Sequence, residues 1–185
     1  IKLSSGQEAT MAEFVRLNPA YVNKIWGGNR LGKPNAAGEA IGEAWILSAI
    51  PGNESVVASG ASTGETFLEY LSHTNSGTNA AVMDAFPTLI KFIDAALPLS
   101  IQVHPADKYA HAHGMPYGKT ERWVILAADP GAFLYLGLKE KMSSGDFAAA
   151  IPTKTLEETC KNVFIKQGAV YFIKSGLLHA LGGGT

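Results

Sequence analysis

Cysteine is nearly absent: Cys160 stands alone in 185 residues, which excludes an internal disulfide and fits a reducing, cytoplasmic setting. With no activating neighbour in the sequence, this thiol is expected to be packing and not chemistry. No apolar run approaches the ~20 residues that a helix needs to span a bilayer, and the N-terminus lacks the charged-then-apolar pattern of a secretory leader. Charge is scarce as well. Charged residues make up 17% of the chain, the formal net charge is −1, and both signs are interspersed. There is thus no basic field to attract nucleic acid and no polybasic cluster for an anionic membrane. The partner class left is a small molecule, and an anionic one would be met by a few local groups. Repeats and low-complexity tracts are also missing.

What is present is a globular composition, 46% apolar, in a chain long enough for one domain with a proper core. Residues 1–10, IKLSSGQEAT, precede Met11 and are expected to be a tag or vector remnant, with a single domain over residues 11–185. That domain is expected to lack a C-terminal portion, because Leu181 to Thr185 is a glycine run directly behind a motif. Apolar residues recur in short runs separated by Gly, Pro, Asn and Asp, the strand-and-turn pattern. Strands are predicted over 43–50, 89–93, 99–104, 123–126, 132–136, 163–165 and 169–173, with Asp129-Pro-Gly131 as a turn. Capping boxes are predicted at Ser62 with Glu65, Ser143 with Asp146 and Thr155 with Glu158, and residues 75–79 read as an exposed loop. Many short strands and few helices predict an all-β sandwich or closed barrel.

Within this pattern, Gln102 and His104 lie two apart on a predicted strand, so their side chains share a face. Pro105 ends that strand because it cannot donate a ladder hydrogen bond. Glu121 opens the strand that could pair beside it, and His179 follows the last strand. Two imidazoles, a carboxylate and an amide oxygen form an N/O donor set suited to Zn²⁺ and able to take Mn²⁺, Fe²⁺ or Co²⁺. Spacing alone leaves the bland reading open, since a lone His-Pro is usually structural and a Glu near a Lys is usually an ion pair.

The surrounding motifs are more specific. Gly168, Gly176 and His179 complete the two-part pattern of the cupin barrels. Beyond that, Lys24-Ile-Trp-Gly-Gly28, Ile41-Gly-Glu-Ala-Trp45, Pro87-Thr-Leu-Ile-Lys-Phe-Ile-Asp94, Leu99-Ser-Ile-Gln-Val-His-Pro105, Gly118-Lys-Thr-Glu121 and His179-Ala-Leu-Gly182 run along residues 16–185. In these segments the chain resembles the type I mannose-6-phosphate isomerases, particularly the short bacterial form. The resemblance implies a cupin-type β-barrel (jelly roll) with a few short helices. It also implies one Zn²⁺ per chain on Gln102, His104, Glu121 and His179, with Lys119 as the active-site lysine. Ser100 would lie near the substrate phosphate, and Lys91 would line the pocket or pair with Glu43 or Asp94. His111 and His113 read as surface or lid residues in a loop, and Trp26 and Trp45 as core or pocket wall.

The implied activity is aldose–ketose isomerisation of mannose 6-phosphate and fructose 6-phosphate through an enediol-type intermediate. Two departures stand out. The turn Lys174-Ser-Gly-Leu-Leu-His179 replaces the family's Pro-Ala-Gly-Thr-x-His, and the family's later arginine has no counterpart after His179. They motivate a second reading, a non-catalytic sugar-phosphate-binding metal cupin. An iron-dependent cupin enzyme is a third.

Overall fold

Short apolar runs broken by turn residues cannot sustain long helices, and the chain folds mainly as strands. The computed structural model describes residues 14–74, 86–153 and 155–185. The expected tag remnant and the loop predicted at 75–79 lie outside these residues. Ten strands are formed among the described residues: β1 (Leu17–Asn18), β2 (Ala20–Gly28), β3 (Ile41–Leu47), β4 (Val56–Val57), β5 (Ile90–Ile93), β6 (Glu121–Val124), β7 (Phe133–Leu138), β8 (Cys160–Phe164), β9 (Val170–Ile173) and β10 (His179–Leu181). Four short helices accompany them among the described residues: α1 (Phe67–Thr74), α2 (Asp107–Ala112), α3 (Ser144–Ala150) and α4 (Leu156–Thr159). The strands pair antiparallel in four small sheets, β1-β4, β2-β3-β5, β10-β7-β8 and β6-β9. This is the strand-dominated, helix-poor architecture expected.

Two apolar clusters hold the sheets together. Ala95, Leu134 and Leu181 gather Trp26, Ile93, Leu99 and Trp123, which joins β2, β5, β6, β7 and β10. Tyr135, Cys160, Leu178 and Ala180 gather Ile101, Phe147 and Leu156, which docks the short helices on β7 and β8. Leu134 is fully buried, and removing such a side chain from water contributes about 2–3 kcal/mol.

Several expectations change in detail. The run 99–104 is not a ladder strand; Pro98 and Pro105 bracket it and remove donors. It lies instead along β10 through Leu99 N–H to Leu181 O (2.9 Å) and a reciprocal pair between Gln102 and His179 (2.9 Å each). Helix α1 starts later than Ser62 suggested, because its cap is Thr66 with Glu69. The Thr66 N–H donates to Glu69 Oε2 (2.8 Å) and the Glu69 N–H to Thr66 Oγ1 (3.2 Å). Ser143 does cap α3, accepting from the Asp146 N–H at 3.1 Å, whereas Thr155 makes no side-chain cap. The segment read as a loop around His111 contains α2. The Asp129-Pro-Gly131 turn forms as expected, with Gly131 at φ 85° and the Ala132 N–H donating to Asp129 O at 3.0 Å.

Candidate metal centre

The site is assembled from two distant stretches. The reciprocal bonds between Gln102 and His179 bring the 99–104 segment against the start of β10, which sets His104 beside His179 with ring centroids 5.0 Å apart. Glu121 enters from the other side, as the first residue of β6. Its approach depends on Gly118: a Cβ there would lie 2.6 Å from Asp107 N and Pro105 O, so only glycine lets the two main chains touch. The contact is locked by the Gly118 N–H donating to Asp107 Oδ1 (2.8 Å) and the Lys119 N–H donating to Pro105 O (3.0 Å).

The donor atoms of His104, Glu121 and His179 then all lie within 4.8 Å of one another. Glu121 Oε1 is 3.6 Å from His104 Nε2, and Glu121 Oε2 is 3.3 Å from His179 Nε2. His179 is fully buried, edge-on to Trp123 at 5.4 Å. Its Nδ1 lies 2.7 Å from the Leu177 carbonyl, which can only accept, so Nδ1 carries a proton and, in the neutral ring, Nε2 presents a lone pair. Glu121 Oε2 and His179 Nε2 are consequently two buried acceptors facing each other with no hydrogen-bond partner. Such a pair is costly unless a cation lies between them.

Charge around the site has the same sense. Lys119 Nζ sits 2.8 Å from Glu121 Oε1 and 3.2 Å from His104 Nε2. Burial and the nearby Lys119 ammonium hold the His104 pKa below its ordinary value, which favours the neutral, ligating ring. Burial pushes the Glu121 carboxyl up, but its contacts to His179 and Lys119 outweigh this and bring it to about 2. The donor set of two neutral imidazoles and one carboxylate fits a divalent metal.

The remaining predicted residues line one cavity of about 190 Å³. It includes Gln102, Ser100, Lys91, Lys119 and Glu121. Gln102 and Ser100 are both exposed. A larger groove of about 750 Å³ shares Lys91, Lys119 and Glu121 with it. Lys91 is paired with Glu43 at 2.8 Å, and Asp94 is instead engaged by Arg30. His111 Nε2 donates to Pro116 O (2.8 Å) and His113 stacks on Tyr109 (3.9 Å), both outside the cluster.

A family model of the catalytic domain of type I phosphomannose isomerase matches residues 14–135. The chain belongs to the type I phosphomannose isomerases. It is 36% identical over 178 residues to a mannose-6-phosphate isomerase of Streptococcus mutans, covering 94% of this chain and 56% of the relative. A mannose-6-phosphate isomerase of Bacillus subtilis is 32% identical over 169 residues, with 90% and 53% covered. The chain thus spans about half the length of the curated relatives it matches. The crystal structure of mannose 6-phosphate isomerase from Bacillus subtilis superposes with a TM-score of 0.79 at 34% identity, covering 92% of this chain and 55% of that one. The Salmonella typhimurium mannose 6-phosphate isomerase in its apo form, at 17% identity and a TM-score of 0.64, shares the fold over 94% of this chain and 66% of that one. The cupin-type fold of the phosphomannose isomerases is therefore the fold of this chain.

Sequence reasoning missed two residues of this phosphomannose isomerase cavity. Lys24 reaches it from β2 and Glu43 from β3. The available signal was glycine: a Cβ at Gly42 would collide with the Lys24 side chain, so the glycine beside Glu43 marks where β3 must pass close beneath Lys24.

No described helix is long and apolar enough to cross a membrane.

Proposed function

We propose that this chain carries the site for interconverting mannose 6-phosphate and fructose 6-phosphate, with Zn²⁺ held by His104, Glu121 and His179 and, by its place in the same cavity, Gln102. The carrying observation is the pair of buried, partnerless acceptors, Glu121 Oε2 and His179 Nε2, 3.3 Å apart. When bound, the metal supplies Lewis-acid polarisation of the sugar oxygens.

The reaction moves a proton between C1 and C2 and develops negative charge on the intervening oxygens. Lys119 is the mobile cation of the site: its side chain is 45% exposed and reaches both His104 and Glu121. In the metal-loaded site, where His104 and Glu121 would serve as ligands, the Lys119 ammonium would turn to the cavity and donate to the developing oxyanion or assist ring opening. His179 and Trp123 close the inner wall and exclude water from the back of the cluster. Ser100 and Lys91 offer the hydroxyl and the ammonium for the substrate phosphate.

The test is turnover of mannose 6-phosphate in an assay coupled to fructose 6-phosphate consumption. Activity should vanish on chelation and return with Zn²⁺. Sugar-phosphate binding with no turnover by the metal-loaded protein would overturn the catalytic reading in favour of a binding cupin.

A further inference from the structure

Glu43 is buried, with 5% of its surface exposed, at the centre of the β2-β3-β5 sheet. A carboxylate in that position is retained only when its charge is met. Three donors meet it. Lys91 Nζ, from β5, lies 2.8 Å from Oε1. The Trp45 indole N–H donates to Oε2 at 2.8 Å, and Lys24 Nζ, from β2, lies 4.0 Å from Oε2. Burial pushes the carboxyl pKa up, yet the hydrogen bonds from Lys91 and Trp45 and the two lysine charges bring it below its ordinary value, so it stays ionised. Both ammoniums reach the cavity that also holds Ser100. Without an anion between them, two lysines on one cavity wall would repel and swing to water.

We propose that Glu43 is a positioning residue that holds Lys24 and Lys91 as a paired cationic clamp for the phosphate end of the substrate, with Lys24 as a second phosphate-facing cation. This rests on the sugar-phosphate reading of the site. Each ammonium has three donors. Lys91 gives one to Glu43, and the rest remain for an incoming anion. Trp45 fixes the clamp from below: its indole orients Oε2 and its ring lies 5.7 Å from Lys91 Nζ. Glu43 turns its carboxylate to the two lysines and acts through them.

Two variants test the clamp, Glu43→Gln and Lys24→Met. Lys24 is 37% exposed at its side chain, so its replacement leaves the core intact even if Glu43→Gln folds poorly. Zinc content, KM and kcat for mannose 6-phosphate, and calorimetric binding of inorganic phosphate are measured on each. The expected result is zinc content at the wild-type level, with KM and the phosphate Kd raised about tenfold or more and kcat changed far less, as loss of a charge-assisted contact requires. Glu43→Asp should recover part of the loss. Equal falls in kcat with KM unmoved, or an unaltered phosphate Kd in Lys24→Met, would overturn the clamp. Wild-type protein that binds inorganic phosphate in a Glu43- and Lys24-dependent way but does not isomerise sugar phosphates would sink the isomerase reading and leave the clamp standing. Wild-type protein that binds no phosphate at all would sink the clamp.

Discussion

Replacing Gly118 by alanine should damage both the fold and the metal site. A Cβ at Gly118 would lie 2.6 Å from Asp107 N and Pro105 O and 2.7 Å from Ala106 C. All three are main-chain atoms at the entrance to α2, so none can swing aside as the end of a flexible side chain would. One segment must move. Overpacking of this kind costs about 1–3 kcal/mol. The displaced segment also strains or loses two hydrogen bonds, Gly118 N–H to Asp107 Oδ1 and Lys119 N–H to Pro105 O, together about 1–2 kcal/mol. The expected loss is therefore about 2–5 kcal/mol, and the movement carries Lys119 and Glu121 away from His104. Urea unfolding gives the stability change, and elemental analysis after gel filtration gives the zinc stoichiometry. Gly145→Ala is the control. Its nearest atom is Ser143 Oγ at 3.8 Å, and it lies in α3, where alanine should stabilise by about 0.5–1 kcal/mol. A Gly118→Ala protein with wild-type stability and a full equivalent of zinc would refute the close-approach argument.

Other consequences follow from the site and its walls. His104→Ala should leave the sheets folded, as circular dichroism would show, while zinc falls well below one equivalent in elemental analysis. Lys119→Met should keep its zinc and lose turnover by about 10²-fold or more, the usual scale for a positioned proton-transfer or oxyanion-stabilising group; coupled-assay kinetics check this. Cys160 is fully buried and burial pushes its thiol pKa up, so a thiol reagent should label it slowly in the native protein and rapidly in urea. Glu43 has its pKa lowered in the fold. Its contribution to stability is thus present above the unfolded carboxylate pKa and lost as pH falls through the lower folded value. Denaturation followed across acid pH should show a shallower acid limb in Glu43→Gln than in wild type.

The positions of the strands were largely legible because each is a short apolar run with a turn signal at its end. The 132–136 and 169–173 runs reappear as β7 and β9, with boundaries moved by one or two residues. The register was not legible. β2, the longest strand at nine residues, was overlooked because Asn23 and Lys24 interrupt its apolar pattern and two glycines end it. The 99–104 run has strand composition but two flanking prolines, and only the tertiary partner at β10 decides how many ladder bonds it can make. For the site, local sequence placed Lys119 and Glu121 next to each other and Gln102 near His104. It could not show that Glu43 lies between Lys24 and Lys91, because that arrangement exists only across three strands of one sheet. The helix around His111 was hidden by the glycine and proline that follow it. Its entrance at Ala106 makes no side-chain cap, so the usual start signal is missing.

Under the proposed function, the two hydrogen bonds that join Gln102 to His179 would set the order in which the metal site is completed. His104 and Glu121 emerge early during synthesis, but the buried imidazole that faces them arrives only with β10. Until that strand docks, the nascent chain can offer an ion no more than a half-built, solvent-exposed pair of ligands. Under the proposed function, metal capture would follow the docking of β10, with the cost of closing that long loop met by the pairing of β10 with β7. An ion that arrives after docking locks two distant stretches of chain together, so loss of metal should first loosen the β10 seam while the β2-β3-β5 sheet remains protected from hydrogen exchange.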